Sequence, residues 1–379
     1  MPAQLSLLQE GPLGPLPTDC WHYVPALQNK PGELDALRDA SEETWSRMTP
    51  VIHLVGPRKK RSKPFRSQTI ADWVKRVAAA VGCHPVYLDV MRLDPVSPVE
   101  TTKGTVPLLT HVYASARKRG VRFVPVAWVG ECTEAHLEAV ADAAAADCRG
   151  VAVRFRFLRT MPLPGTTRSA MLIDLLHRLD CDMSSADLLL DLEYLDPDED
   201  LSAEDIAASI EEMAAVGPWR SIALLGSSIP DMLGSIPEGT LGSLLRREWK
   251  LWTQLHQCQL SRLPAFGDYA IQHPRPPTEG GGPGMRANIR YTAGDETLVV
   301  RGKGSVLQEG KEQYIELCQQ MFSRAEFLGA AYTAGDGIIA DCANGTIEPG
   351  AQRMWRGAGT SHHLRVVTDQ LQELRGGHP

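Results

Sequence analysis

No apolar run in this chain approaches the roughly 18 residues that a membrane-crossing helix needs, so no membrane span is expected. The opening stretch "MPAQLSLLQEGPLGPLP" has no charged region leading into an apolar core, which argues against a secretory signal. The eight cysteines are scattered singly with no CxxC pair, so they supply neither a zinc knuckle nor a disulfide framework. Several of them sit in apolar helical or strand contexts, where the thiol behaves as a small hydrophobe. Excess basic charge is also lacking: a net charge of -7 excludes a protein basic all over while leaving room for a local patch. What remains is an ordinary reduced, cytoplasmic globular protein, with 43% hydrophobic and 22% charged residues. At 379 residues it has room for one large domain with an elaboration, or for two domains.

Eight short apolar, β-branched runs read as strands, at 21–27, 49–55, 85–90, 122–129, 150–157, 186–195, 220–227 and 265–272. They are too short for helices and lie between turn signals, as buried parallel strands do. Helical patterns fill the gaps at 32–48, 67–81, 105–120, 133–147, 167–179, 202–216 and 239–258. Several begin at Ser or Thr with an acid in the first turn. Eight alternations within about 250 residues fit a (β/α)8 barrel of the α/β class. A doubly wound open sheet is the competitor, but the first turn, "LQNKPGEL", lacks its GxGxxG signature. The expected organisation is a tail at 1–19, a barrel at 20–275 and a C-terminal elaboration at 276–379. Beyond the proline- and glycine-rich stretch 274–285, the elaboration comprises a hairpin at 287–303, a helix at 311–327, a glycine-containing segment at 329–345 and a last helix at 362–375. Because it starts from the eighth βα loop, it is expected to lie over the barrel mouth as a lid, and to pack on the barrel or complete it.

Barrel enzymes place their working residues at the C-terminal ends of strands and in the loops that follow. Asp191 and Glu193 alternate with Leu192 and Tyr194, so both acids face one side of an apolar strand and need a cation, a metal or water. With His53 and Asp89 they are oxygen and imidazole donors of the type that hold a divalent metal; ion pairing with Arg154 and Arg156 is the favoured alternative. Lys30, directly after the first strand, is a candidate nucleophile, general base or phosphate binder, and Glu33 favours the start of the first helix. Asp268 in "FGDYA" is a candidate general base or a structural acceptor, with Tyr269 beside it. Arg290 and Arg301, in the two arms of the hairpin, suit phosphate or carboxylate recognition and would approach Asp191 and Glu193 if the hairpin closed over the mouth. In "MWRGAGTSHHLRVV", Gly357 and Gly359 are expected to form a turn and Ser361 to cap the last helix. Capping leaves Trp355, Arg356, His362 and His363 unexplained. The two histidines diverge by about 100° on a helix, so one is expected at the mouth while the other packs.

Several of these strings together resemble the phage Beta-protein family: "YVPALQNKPGELDAL", "FGDYAIQHP", "ANIRYT", "VVRGK", "QYIELC" and "WRGAGTSHHLRVV", in that order. The residues carrying the resemblance are Lys30, Gly32, Glu33, Gly267, Asp268, Tyr269, Arg290, Tyr291, Arg301, Gly302, Trp355, Arg356, His362 and His363. At His53 the sequence departs from the acid expected of the family, which counts against a carboxylate cluster and any metal it would hold. The resemblance implies a role in phage–host conflict and brings no reaction with it.

The basic run "RKKRSKPFR", with Arg58, Lys59, Lys60 and Arg61, follows the second strand onto the same face and is a candidate contact to nucleotide or nucleic-acid phosphates. The expected function is therefore a site for a phosphate-bearing small molecule or nucleic acid at the barrel mouth. Arg154, Arg156, Arg290, Arg301, Tyr269, Trp355, Arg356 and His363 are the residues expected to bind it. If the ligand is turned over, hydrolysis or phosphodiester cleavage by Asp191, Glu193, Asp268, Lys30 and His362 is the expected reaction. The alternative is a non-catalytic module that binds a protein or nucleic acid. No cofactor is implied beyond that conditional metal.

Overall fold

A computed structural model describes residues 19–56, 65–157, 163–199, 201–275 and 286–377. Its centre is a closed barrel of eight parallel strands, Tyr23–Gln28, Val51–His53, Val86–Asp89, Phe123–Trp128, Val151–Arg156, Ala186–Tyr194, Ser221–Ser227 and Ala265–Asp268. Each strand pairs with its sequence neighbour, and the eighth closes on the first through Tyr23–Phe266, Val24–Gly267 and Pro25–Asp268. The strands read as continuous apolar runs because both faces are buried. Val24, Ala26, Val51, Tyr87, Val126, Ala152, Leu189, Ala223 and Leu225 fill the inside. Alternate residues such as Tyr23, Leu27, Ile52, Val86, Leu88, Phe123, Leu188 and Phe266 pack outward against the helices.

Helices Ser67–Val81, Leu108–Lys118, Glu134–Asp147, Gly165–Arg178 and Ala203–Ala214 lie between strands where the apolar periodicity predicts them. Thr133 and Ser202 cap two of these through their side-chain oxygens. The expected helix 32–48 divides into Pro31–Arg38 and Glu42–Trp45, since Ser41 caps the second piece. The expected 105–120 helix loses its first residues to a small strand, Gly104–Pro107, which pairs with Pro98–Thr101.

The 239–258 expectation requires a larger correction. Leu241–Leu245 is a strand, and only Arg247–Leu255 is helical. Its leucines continue the apolar spacing of the helix, which conceals the break. The strand exists because the hairpin formed by Arg286–Ala293 and Glu296–Ser305 presents an edge, onto which Leu241–Leu245 adds antiparallel with Leu241 opposite Val300. The hairpin packs with helices Gln313–Phe322 and Ala334–Ala343 around a separate core of Ile289, Tyr291, Val300, Tyr314, Leu317, Met321, Ile339 and Trp355.

The last helix is a single element, Gln352–Gly377, ten residues longer at its start than expected. Gly357 and Gly359 are therefore not a turn, and Ser361 is no cap. These glycines permit close packing. A Cβ on Gly32 would lie 2.5 Å from the Arg353 carbonyl oxygen, one on Gly335 2.1 Å from that of Ala358, and one on Gly359 2.7 Å from that of Arg290. Leu364, Val367 and Leu371 of the helix join the outer core of the barrel. The helix runs along Pro31–Arg38 and the outside of the first strand, the place a helix following strand eight takes in a (β/α)8 barrel. Gly32→Ala is expected to destabilise the protein by about 1–3 kcal/mol, since backbone rather than a flexible side chain must move. Urea unfolding checks this; an unchanged midpoint would show that the helix can shift without cost.

Candidate functional site

The interior positions at the C-terminal ends of strands two, three, five and six carry His53, Asp89, Arg154 and Asp191, all fully buried. Tyr269 joins them just after strand eight. Arg154 is the hub. Its Nη1 donates to Asp89 Oδ2 at 2.8 Å, and its Nε and Nη2 donate to Asp191 Oδ2 at 3.0 and 2.6 Å. Tyr269 donates its hydroxyl to Asp191 at 2.8 Å, and Trp128 donates its indole N–H to Asp89 at 2.9 Å. His53 Nδ1 lies 2.9 Å from Asp89 Oδ2, and its ring stacks parallel to Tyr269 with centroids 6.2 Å apart.

Electrostatics follow from this packing. Burial, reinforced by Arg154, pulls the His53 pKa down to about 4, so the ring is neutral at pH 7. Burial opposes the Asp89 charge, yet His53 and Arg154 hold its carboxyl well below the usual range. Burial also opposes the Arg154 charge, but Asp191, Tyr269 and Asp89 more than compensate and raise its pKa. Arg156, one interior position further out, pairs with Glu193 and with Glu131 at 2.9 Å. Glu193 has φ 55°, in the left-handed region, and its N–H donates to Asp191 Oδ1 at 2.9 Å. The same device recurs at Asp89, which accepts from Met91 N at 3.0 Å, and at Asp268, which accepts from Ala270 N at 2.9 Å. Three strand ends are thus closed by an aspartate gripping the amide two residues on.

The four conditional metal ligands His53, Asp89, Asp191 and Glu193 are therefore gathered around guanidinium groups. Among the described residues no group of three or more His, Cys, Asp or Glu side chains is arranged to hold a metal ion.

A second set of cations lies on the rim. Lys30, directly after strand one, has no hydrogen-bonding or ionic partner among the described residues, and neither has Arg356. Both are half-buried. Burial, then Arg356, lowers the Lys30 pKa to about 8, with Arg92 contributing in the same sense and Glu33 opposing. Burial and then Arg356 lower Arg290 to about 10. Arg92 donates to the Pro274 carbonyl at 3.0 Å and reaches back toward the Trp128 ring, so it spans rim and mouth. Glu33 does not neutralise this group directly: its Oε2 accepts the Gln28 amide at 2.6 Å, and burial raises its pKa. Arg92 and Gln28 had no motif to mark them. Their only signal is position, in the third βα loop and on the inward side of strand one.

Several other candidates lie elsewhere. Asp268 has the parity of Phe266 and faces outward, where it accepts from Tyr23 Oη at 2.5 Å and pairs with His363 Nε2 at 2.8 Å. His363 Nδ1 meets Thr292 Oγ1 at 2.7 Å. His362 pairs with Asp336 at 3.1 Å and with the Thr292 carbonyl at 2.9 Å. Neither histidine faces the mouth; both are fully buried between the last helix, the hairpin and the barrel. Trp355 stacks on Tyr314 at 4.6 Å inside the separate core of the elaboration. Arg290 donates to the Ile271 carbonyl, and Arg301 donates to those of Leu233 and Ile236, so neither approaches Asp191 or Glu193. The hairpin stands at the rim beyond strands seven and eight, and the segment after strand eight, with Tyr269, His273 and Pro274, is what reaches the mouth. Arg58, Lys59, Lys60 and Arg61 lie outside the described residues.

The family model described as Beta protein matches residues 23–369. The chain belongs to the Beta protein family. No curated protein matches it. Among solved structures, this Beta-family chain is similar to a mutant tryptophan synthase α-subunit from Pyrococcus furiosus, at 8% identity and a TM-score of 0.37, covering 67% of this chain and 89% of that one. A type I 3-dehydroquinate dehydratase from Clostridium difficile, with covalently modified comenic acid, is similar at 10% identity and a TM-score of 0.37, covering 66% and 85%. Among the described residues no helix is long and apolar enough to cross a membrane.

Two outcomes test this electrostatic description. Arg154→Met leaves Asp89 and Asp191 buried without their shared cation and is expected to cost about 3–5 kcal/mol in chemical unfolding; a loss below ~1 kcal/mol would mean the acids rearrange to water. His22 and His53 are both held near pH 4 against an ordinary value of 6.5, so the unfolded chain binds protons that the folded chain does not. The contribution of these two histidines to stability should be complete above about pH 6.5 and be lost progressively toward pH 4, opposed over part of that range by the buried Glu248, raised to about 7, and His53→Gln should remove its share of that slope. A variant with the wild-type slope would count against a neutral buried His53.

Proposed function

We propose that the barrel mouth is a binding site for a phosphate-bearing ligand, either a nucleotide-like small molecule or a nucleic acid, seated on Lys30, Arg92, Arg290 and Arg356. One observation carries this reading: the Lys30 amine and the Arg356 guanidinium make no direct ion pair among the described residues and share only the buried Glu33 as a nearby acid, whereas Asp89, Asp191, Glu193 and Glu131 are each held by an arginine. Unpaired, partly desolvated cations beside the N-terminus of Pro31–Arg38 form a favourable setting for an anion. Lys59, Lys60, Arg58 and Arg61 belong to the proposal as phosphate contacts for a longer ligand. A cytoplasmic setting, in which the eight free thiols stay reduced, and a role in phage–host conflict accompany it.

Binding is better supported than hydrolysis. A hydrolase would draw on Asp191 and Glu193 as acid and base, but their oxygens are committed to Arg154, Tyr269 and Arg156. The same observation favours, as second reading, a module whose mouth recognises a partner without chemistry. Asp268 and His362, at their buried positions, would need a rearranged last helix to touch a ligand.

Calorimetric titration with pyrophosphate, ADP and a short single-stranded oligonucleotide tests the reading. Lys30→Ala and Arg356→Ala are each expected to weaken binding by about tenfold, roughly 1.4 kcal/mol. Reversing the charges at 58–61 should weaken only the oligonucleotide if the ligand is nucleic acid, and neither probe if it is small. Wild-type protein that binds none of the three, or variants that bind as well as wild type, would sink the phosphate site.

A further inference from the structure

The rim holds a lysine whose surroundings suit more than charge. The alternation that turns Val24 and Ala26 into the barrel places Gln28 on the same side, and Asn29 extends the ladder by donating to the His53 carbonyl at 3.0 Å. Lys30 continues in extended conformation, φ -78° and ψ 142°, before Pro31 starts the helix. The amine therefore leaves the strand at the mouth. Arg356 closes in from the last helix: a Cβ on Gly32 would lie 3.2 Å from Arg356 Cβ. Arg92 approaches from the third βα loop, and Glu33, whose Oε2 is taken by the Gln28 backbone amide, acts on the amine only through its field, without a direct ion pair.

Three buried polar atoms of the residues around it lack hydrogen-bond partners: Oε1 of Gln28, two positions earlier on the inward side of the same strand, Oε1 of Glu33 and Nη1 of Arg92. Acceptors and a donor left unsatisfied around an unpaired amine are what a site for a polar ligand looks like before the ligand arrives.

We propose that Lys30 is a nucleophilic amine that forms an imine with a carbonyl compound carrying an anionic group, the anion resting on Arg356 and Arg92. This deepens the phosphate-site reading and rests on it. The free amine adds through its nitrogen lone pair to the carbonyl carbon, and the nitrogen proton passes to the alkoxide, giving a carbinolamine. The hydroxyl then leaves as water, taking up one proton from solvent, while the lone pair closes the C=N bond. Nothing is oxidised or reduced. Gln28 Oε1 is placed to accept a hydrogen bond from the carbinolamine hydroxyl, and Arg92 Nη1 to bind the anion. Desolvation and flanking cations are the two standard means of keeping a lysine unprotonated. With its pKa near 8, Lys30 carries on the order of a hundredfold more free amine at neutral pH than an ordinary lysine.

The experiment is borohydride trapping of the full chain with pyridoxal 5′-phosphate, an aldehyde with a phosphate, and with pyridoxal, which lacks it, followed by peptide mapping. Lys30 is expected to be labelled at least tenfold faster than the exposed Lys303, more so by the phosphorylated aldehyde, with inorganic pyrophosphate protecting it. Arg356→Gln should slow labelling by both aldehydes, since the lost charge lets the amine hold its proton more tightly, and should slow the phosphorylated one about tenfold more than pyridoxal. Lys30→Arg should remove the adduct, with circular dichroism confirming the fold. Labelling of Lys30 no faster than Lys303 overturns the proposal, and if pyrophosphate still binds through Arg356, the phosphate site survives it. Loss of both pyrophosphate binding and Lys30 selectivity overturns the two together.

Discussion

One guanidinium sets the terms for the mouth of this barrel. Arg154 reaches from strand five to Asp89 on strand three and Asp191 on strand six, with His53 from strand two and Tyr269 from beyond strand eight packed around it. Two buried carboxylates cannot stay charged without such a partner, and a buried arginine cannot stay solvated without them. The arrangement ties five of the eight strand ends together and leaves the acids little freedom for a metal or for proton transfer. On the rim, by contrast, Lys30 and Arg356 make no direct ion pair among the described residues and share only the buried Glu33 as a nearby acid.

The last helix carries the second constraint. It completes the outer layer only by approaching backbone to backbone, which Gly32, Gly335 and Gly359 permit. Its two histidines then act as buried polar struts, His363 between Asp268 and Thr292, and His362 between Asp336 and the Thr292 carbonyl. The residues that carry the family resemblance thus divide by position. Gly32, Asp268 and His363 hold the elaboration to the barrel and Trp355 and His362 pack within the elaboration, while Lys30 and Arg356 lie at the rim where the proposed ligand would meet them. The same helix does both, since fixing it by glycine and histidine is what sets Arg356 beside Lys30.

The eight strands were legible because parallel barrel strands are buried on both faces and therefore read as short unbroken apolar runs. The helix at 67–81 was legible through its apolar periodicity, and those at 133–147 and 202–216 had Thr133 and Ser202 to mark their starts. Leu241–Leu245 was not, because its strand character comes from an edge supplied by residues fifty positions away. Gly357 and Gly359 misled for a related reason. Glycine in a sequence signals a turn or a close contact equally well, and only the neighbouring backbone distinguishes them. The pairing of Asp191 and Glu193 with Arg154 and Arg156 was readable, since equal parity on adjacent strands brings those side chains together.

By itself the sequence determined the barrel, the inward alternation of its strands and the chemistry available at their ends. Those properties depend on local patterns of burial and on residue type. Tertiary structure alone decided which charges cancel and which do not. Asp268 turned outward to His363, Arg301 and one arm of Arg290 turned to loop carbonyls, and Arg154 took both interior acids. Cancellation depends on distances of about 3 Å between segments that are tens of residues apart in the chain. No spacing in the chain encodes them, and they alone leave the Lys30 amine without a direct ion pair.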